Sequence, residues 1–181
     1  MSAKTPALLE VRRAVRVWLE TFEANSKVCI GVSGGADSLA LAIATMLEAD
    51  SFGIDLVAVI VDHGLQEESA EISVKTRSKL EKLGYKDIFL GRANIKMVDG
   101  LEASARRARY QIFHQALDTY GAKYFFLGHT KNDQAEGVLL GLARGSGTRS
   151  LSGMQEVNGE FIRPLLGINR ETTEAACIEA G

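Results

Sequence analysis

Four short apolar runs recur along this chain, and each leads into a segment of helical length: "KVCIGV" (27–32), "IDLVAVIVD" (54–62), "KDIFLG" (86–91) and "KYFFLG" (123–128). Short continuous apolar runs bounded by turns read as strands buried on both faces, the signature of a parallel sheet. The segments between them read as helices: a mostly buried "SLALAIATMLEA" (38–49), a polar helix at roughly 66–83, and others at about 101–119 and 132–143. "EFIRPLL" (160–166) is expected to add a short edge strand. The alternation predicts an α/β domain with a Rossmann-like parallel sheet of about five strands and helices on both faces, and ligands then sit at the carboxyl ends of the strands. Ahead of the first strand, residues 1–25 are expected to form a helix. Thr5 and Pro6 fit an N-cap and first helical position, and Val11, Val15, Trp18 and Phe22 fall on one face.

With 181 residues, 46% of them hydrophobic, the chain has enough apolar material for one domain with its own core. Cys29 lies in an apolar run and Cys177 near the end, so neither suggests a disulfide or a metal pair, and a reducing cytoplasm is expected. No run approaches a membrane span or the apolar core of a signal peptide, so a soluble protein without membrane association is expected. The net charge of −2 is unevenly spread: residues 92–170 carry eleven Lys/Arg against seven Asp/Glu. An anionic macromolecule would approach through that half.

Between the first strand and its helix stands "GVSGGADSLAL" (31–41). Gly34 and Gly35 allow backbone conformations closed to other residues and let a ligand reach the main chain. The turn opens a helix, where unpaired N–H groups and the dipole favour an anion such as phosphate. Ser33 and Ser38 can add hydrogen bonds, and Ala36 lies within the same cradle. A carboxylate in such a cradle is repulsive unless a cation lies between, so Asp37 is expected to hold Mg²⁺ on a bound polyphosphate. The turn has neither the lysine of a Walker loop nor the spacing of a dinucleotide fingerprint. A plain capping role for Ser33 and Asp37 is the alternative.

Glu102, Arg106 and Arg109 fall at i, i+4 and i+7 on one helical face. Glu102 and Arg106 suit a surface ion pair, which leaves Arg109, beside Tyr110, to stabilise charge on a nucleotide. His129 follows a strand directly, with Asp133 and Glu136 in the first turns of the next helix, so three titratable groups converge at a strand end. The alternatives are a strand-end cap for His129 and dipole complementarity for the two acids. Asp62 and His63 close the second strand, where an acidic residue could meet a ribose hydroxyl or serve only the turn.

"SGGADS" (33–38) resembles the pyrophosphate-binding loop of the PP-loop ATP pyrophosphatases. Three further stretches resemble the catalytic domain of the tRNA(Ile)-lysidine synthetase family: "VDHGL" (61–65), "LEASARRARYQIF" (101–113), and "GHTKNDQAEGVLLGLARGSGTRSLSGM" (128–154) with "IRPLL" (162–166) behind it. The resemblance covers residues 28 to about 167 and implies an adenine nucleotide alpha hydrolase-like fold. It further implies an ATP- and Mg²⁺-dependent ligase that adenylates the carbon 2 oxygen of the wobble cytidine of isoleucine tRNA, then admits free L-lysine. Asp37, Arg109, His129, Asp133 and Glu136 would be catalytic, Ser33 to Ser38 with Asp62 and His63 would bind nucleotide, and Arg106, Arg107, Arg144 and Arg149 would meet tRNA. Asn132 stands where the family usually has the first of two aspartates, Gly137 where it has threonine, and Gln66 where arginine is frequent. The family continues with a helical extension, so 168–181 is expected to begin one, and a homodimer fits the family. Alternatives are a tRNA thiolase, which usually shows paired cysteines, an amidating synthetase, and a nucleotide-binding module without catalysis.

Overall fold

Strand β1 (Lys27–Gly31) is paired in parallel with β2 (Asp55–Asp62) on one side and β4 (Tyr124–Phe126) on the other. β3 (Asp87–Arg92) lies outside β2, and β6 (Phe161–Ile162) outside β4, both parallel. β5 (Val157–Asn158) returns antiparallel on β6 as a hairpin at the edge, so the sheet order is β3-β2-β1-β4-β6-β5. This is a computed structural model, and it describes residues 6–62, 67–93, 100–143 and 153–181. The expected parallel sheet is present, with one strand more than anticipated. β5 has two exposed residues and no apolar run to announce it.

The helices are α1 (Ala7–Leu19), α2 (Ala36–Ala49), α3 (Glu67–Leu83), α4 (Leu101–Tyr120), α5 (Lys131–Ala143) and α6 (Arg170–Ala180), with a 3₁₀ turn at Asp50–Phe52. Successive strand side chains point to opposite faces. Val28, Ile30, Ala58, Ile60 and Phe126 therefore join α1, α2 and α6 in one core, whereas Cys29, Val57, Val59 and Phe125 meet α4 on the other. Two covered faces explain why the strands read as unbroken apolar runs. No helix among the described residues is long and apolar enough to cross a membrane.

Pro6 occupies the N-cap position of α1, while Thr5, expected there, lies outside the described residues. The helix instead takes its acceptor from the far end of the chain. The N–H groups of Ala7 and Leu8 donate to the Glu179 carboxylate of α6 at 3.0 and 2.8 Å. The segment 168–181 thus supplies a helix that packs on α1 and α2.

Glu48 of α2 is 1% exposed, and Arg12 and Arg16 of α1 donate to its two oxygens at 2.5 and 2.8 Å. A buried carboxylate is tolerable only with such partners. Glu48→Ala removes the acceptor and opens a void, but Arg12 and Arg16 are 34% and 46% exposed and can turn to water. The expected loss is therefore about 2 to 3 kcal/mol, below the cost of stranding a buried charge. Urea unfolding should show it as a lower midpoint at unchanged slope.

Candidate functional site

The chain leaves β1 through Val32 and Ser33 into the glycine turn and enters α2 at Ala36. Gly34 has φ +89°, and a Cβ there would lie 2.6 Å from Thr76 Oγ1 of α3, so glycine is required by backbone conformation and by space together. Gly35 adopts an ordinary extended φ of −74°. What its missing side chain leaves is open approach to the loop, since only Ser33 Oγ lies near a Cβ placed there. Ser38 Oγ accepts from the Ser33 N–H at 3.1 Å, donates to the Gly35 carbonyl at 2.9 Å and lies 3.2 Å from Ser33 Oγ. The loop is laced to itself. Leu39 N–H is the first to donate back along the helix, to Gly35 at 3.0 Å, so those of Ala36, Asp37 and Ser38 stand in the helix's first turn, where an anion is favoured.

Gly128, between β4 and α5, is a requirement that sequence reasoning did not isolate. A Cβ on it would sit 3.0 Å from Ser38 Cα and 3.1 Å from Ser38 N, so the two strand-end turns touch through backbone. Between them lies a cleft of about 250 Å³ lined in part by Ser33, Asp37, Ser38, Arg109, Tyr110 and His129. Gly35 also lines it, and Gly34 and Ala36 belong to its turn. Asp62 lies on the opposite strand face from the lining residues Val59 and Val61. His63, Arg144, Arg149 and Gln66 lie outside the described residues, as does the side chain of Glu102. Arg106 and Arg107 are exposed on α4.

Arg109 reaches the cleft from α4 with a buried Nε that has no hydrogen-bond partner among the described residues. Burial lowers its pKa, Tyr110 opposes that, and Arg106 adds to it. The guanidinium carbon of Arg106 stands 5.2 Å from the Tyr110 ring centroid, and that of Arg109 stands 6.0 Å away. A partly dehydrated cation with an unused donor suits an anion.

His129 also has a buried atom without a partner among the described residues, Nδ1. Burial, and then the charge of Arg163, pull its pKa down to about 4 against the opposing pull of Asp133. The ring is neutral at pH 7. Arg163, from the turn after β6, is only 4% exposed, and its Nη1 donates to the Gln155 carbonyl at 2.7 Å. This buried cation was not foreseen, although "IRPLL" placed an arginine in an apolar run.

Asp133 Oδ2 accepts from the Thr130 N–H at 2.7 Å and from Thr130 Oγ1 at 2.8 Å, the return arm of a capping box on α5. Burial alone would raise its pKa, but these bonds and the nearby Arg170 guanidinium outweigh it, so the carboxyl lies below its usual range. Glu136 lies exposed one turn on, within electrostatic reach of Arg170. Asn132 Oδ1 accepts the Arg170 backbone N–H at 3.0 Å, so the amide in place of the family's aspartate serves the start of α6. Gln134 donates to the Met154 carbonyl at 3.0 Å and accepts from its N–H, fixing the chain where it returns.

Arg170, Thr173 and Cys177 of α6 reach the turn directly. Arg170 Nε donates to Asp37 Oδ2 at 3.2 Å and its Nη2 to Asp133 Oδ1 at 2.9 Å. Thr173 Oγ1 donates to Asp37 Oδ1, and Cys177 Sγ to the Ala36 carbonyl at 3.4 Å.

Residues 8–181 match the family model described as PP-loop domain. The tRNA(Ile)-lysidine synthase of Rhodococcus opacus is 45% identical over 177 residues, which are 97% of this chain and 52% of that protein. The enzyme of the same name from Thermobifida fusca is 44% identical over 176 residues, 97% of this chain and 54% of that one. The chain thus spans about half the length of the curated relatives it matches. Among solved structures, the U34-tRNA thiolase NcsA from Methanococcus maripaludis superposes with a TM-score of 0.74 over 96% of this chain and 64% of that one, at 18% identity, a likeness of fold.

The neutral state of His129 has a stability consequence. Its folded pKa of about 4 lies below the ordinary 6.5, so between those values the unfolded chain binds more protons and stability falls as pH drops through that window. His129→Gln should remove this contribution. Thermal unfolding from pH 7 to 4.5 should then show a smaller fall in Tm for the variant, and identical slopes would contradict a buried neutral ring.

Proposed function

The chain belongs to the PP-loop domain family, and from that premise we propose that it is the ATP-binding catalytic unit of a tRNA(Ile)-lysidine synthase. In this reading it joins L-lysine to carbon 2 of the wobble cytidine of isoleucine tRNA, through a cytidine adenylated on its carbon 2 oxygen, with release of pyrophosphate and then AMP. The observation that carries it is the meeting, at one cleft, of an open glycine turn, an arginine whose buried Nε has no partner among the described residues, a neutral histidine and Asp37, which Arg170 links to Asp133 nearby.

The first-turn N–H groups of α2, with Ser33 and Ser38, fit a pyrophosphate, because the turn at Gly34 and Gly35 leaves the backbone open to it. Asp37 is the carboxylate at the mouth of that cradle and would hold Mg²⁺, which when bound neutralises phosphate charge. Arg109 faces the same anion with its free donor and stabilises charge that grows on the phosphate during transfer. Lysine brings an ammonium group that must be held and then deprotonated before attack. Asp133, kept ionised, and Glu136 attract it, and neutral His129 adds no repelling charge beside them. Arg106 and Arg107, exposed on α4, with Arg144 and Arg149, would meet the tRNA backbone.

AMP release from ATP, with tRNA and lysine each added or omitted, tests the reading. Pyrophosphate should form only when tRNA is present and AMP only when lysine is added as well, and release indifferent to both would overturn it. Arg109→Gln should lower kcat/KM about a hundredfold, as expected for loss of one donor to developing charge. Glu136→Gln should cut lysine-dependent release about tenfold while nucleotide affinity changes little, since a charge-assisted hydrogen bond contributes roughly 1.5 to 3 kcal/mol. Loss of ATP affinity in that variant would move Glu136 to the nucleotide site.

A further inference from the structure

Asp37 and Asp133 sit on different helices, yet one side chain holds both. The Arg170 fork gives Nε to Asp37 Oδ2 and Nη2 to Asp133 Oδ1. The remaining oxygen of each acid is taken by a neighbour, Thr173 for Asp37 and Thr130 for Asp133. The two oxygens on which an incoming cation would act are therefore those that Arg170 occupies. The Arg170 side chain is 44% exposed, so water competes for it and the contacts are weak enough to exchange. Its backbone stays anchored through Asn132, which lets the side chain leave without disturbing α6. Only the planar fork of arginine spans two carboxylates in this manner.

We propose that Arg170 is a positioning residue that acts as a displaceable cation latch and couples metal–nucleotide binding at Asp37 to amine binding at Asp133. The lysine half of the statement rests on the function proposed above. An arm held at two points is held more firmly at each than an arm held at one, because the first contact keeps the second at high local concentration. A cation that takes Asp37 removes one anchor, and the grip on Asp133 weakens. The second cation then displaces a loosened group, so each ligand raises the affinity for the other by the same factor.

The test is made on the 181-residue chain, with Mn²⁺ and a non-hydrolysable ATP analogue as probes. Electron paramagnetic resonance reads the metal, and titration calorimetry reads lysine with and without the metal–nucleotide pair. In the wild type the pair should tighten lysine binding by about fivefold or more, the lower end of ordinary coupling. Arg170→Gln should bind Mn²⁺–nucleotide more tightly on its own, and lysine should then bind equally with or without it. Arg170→Lys keeps a charge but cannot fork, so it should also lose the enhancement. Unchanged Mn²⁺–nucleotide affinity and an unchanged enhancement in Arg170→Gln would overturn the latch while leaving the lysine reading in place. If lysine binds neither protein while Arg170→Gln still tightens Mn²⁺–nucleotide binding, the lysine reading falls and the latch stands at Asp37.

Discussion

β1 has β2 on one side and β4 on the other, so successive connections leave the middle of the sheet in opposite directions. At such a switch point the turns at the carboxyl ends part, and a crevice opens that no side chain has to vacate. Here the crevice has a fixed floor. The turn after β4 touches the start of α2 through Gly128 and Ser38, close enough that a single added carbon would meet backbone. The glycine turn, His129 and Asp133 therefore keep their relation through main chain, which is stiffer than any side-chain contact.

Charge is sorted across this crevice. Arg109 and the buried Arg163 stand on the side of α4 and the sheet edge, each with an Nε unpaired among the described residues, and their field helps to keep His129 neutral. The carboxylates of Asp37 and Asp133 stand on the side of α6, where Arg170 spans them. A dehydrated guanidinium lining an unfilled cleft, as that of Arg109 does, is unfavourable in isolation and becomes favourable opposite an anion. Carboxylates within reach of solvent do the converse for a cation, and that is the basis of the two-ligand reading proposed above.

Much of this was legible in the sequence, for a definite reason. Buried parallel strands must be apolar on both faces, so β1 to β4 announced themselves, and the glycine turn is fixed by backbone chemistry that the string "SGGADS" displays. Ser33, Asp37 and Ser38 of that turn line one cleft with Arg109, expected from helical spacing, and His129, expected from its place after a strand. What could not be read depends on distance along the chain. Arg170 meets Asp37 across 133 residues and Thr173 meets it across 136, and no local pattern encodes such pairings. Asp62 stands at a strand end as expected, on the strand face opposite the one that carries Val59 and Val61, which strand alternation sets. β5 escaped because its two exposed residues carry no periodicity, whereas β6 falls within the strand expected at 160–166.

α6 is the element whose meaning changed most between sequence and fold. As a string, "RETTEAACIEA" is a helix of low amphipathicity, and nothing in it names a partner. In the structure Arg170, Thr173 and Cys177, at i, i+3 and i+7, form one stripe along its axis, and every one of them bonds to Ala36 or Asp37. Two residues further, Glu179 supplies the acceptor for the first N–H groups of α1. α1 in turn neutralises Glu48 of α2 with two arginines, so α1, α2 and α6 form a closed circuit of polar contacts laid over a shared apolar core. Each member fixes the axial position of the next, because hydrogen bonds at helix ends are directional where apolar packing is not. The start of α2 carries the anion cradle. Its orientation is therefore set by two helices distant in sequence, α1, which lines no part of the cleft, and α6, which bonds to the turn at Ala36 and Asp37.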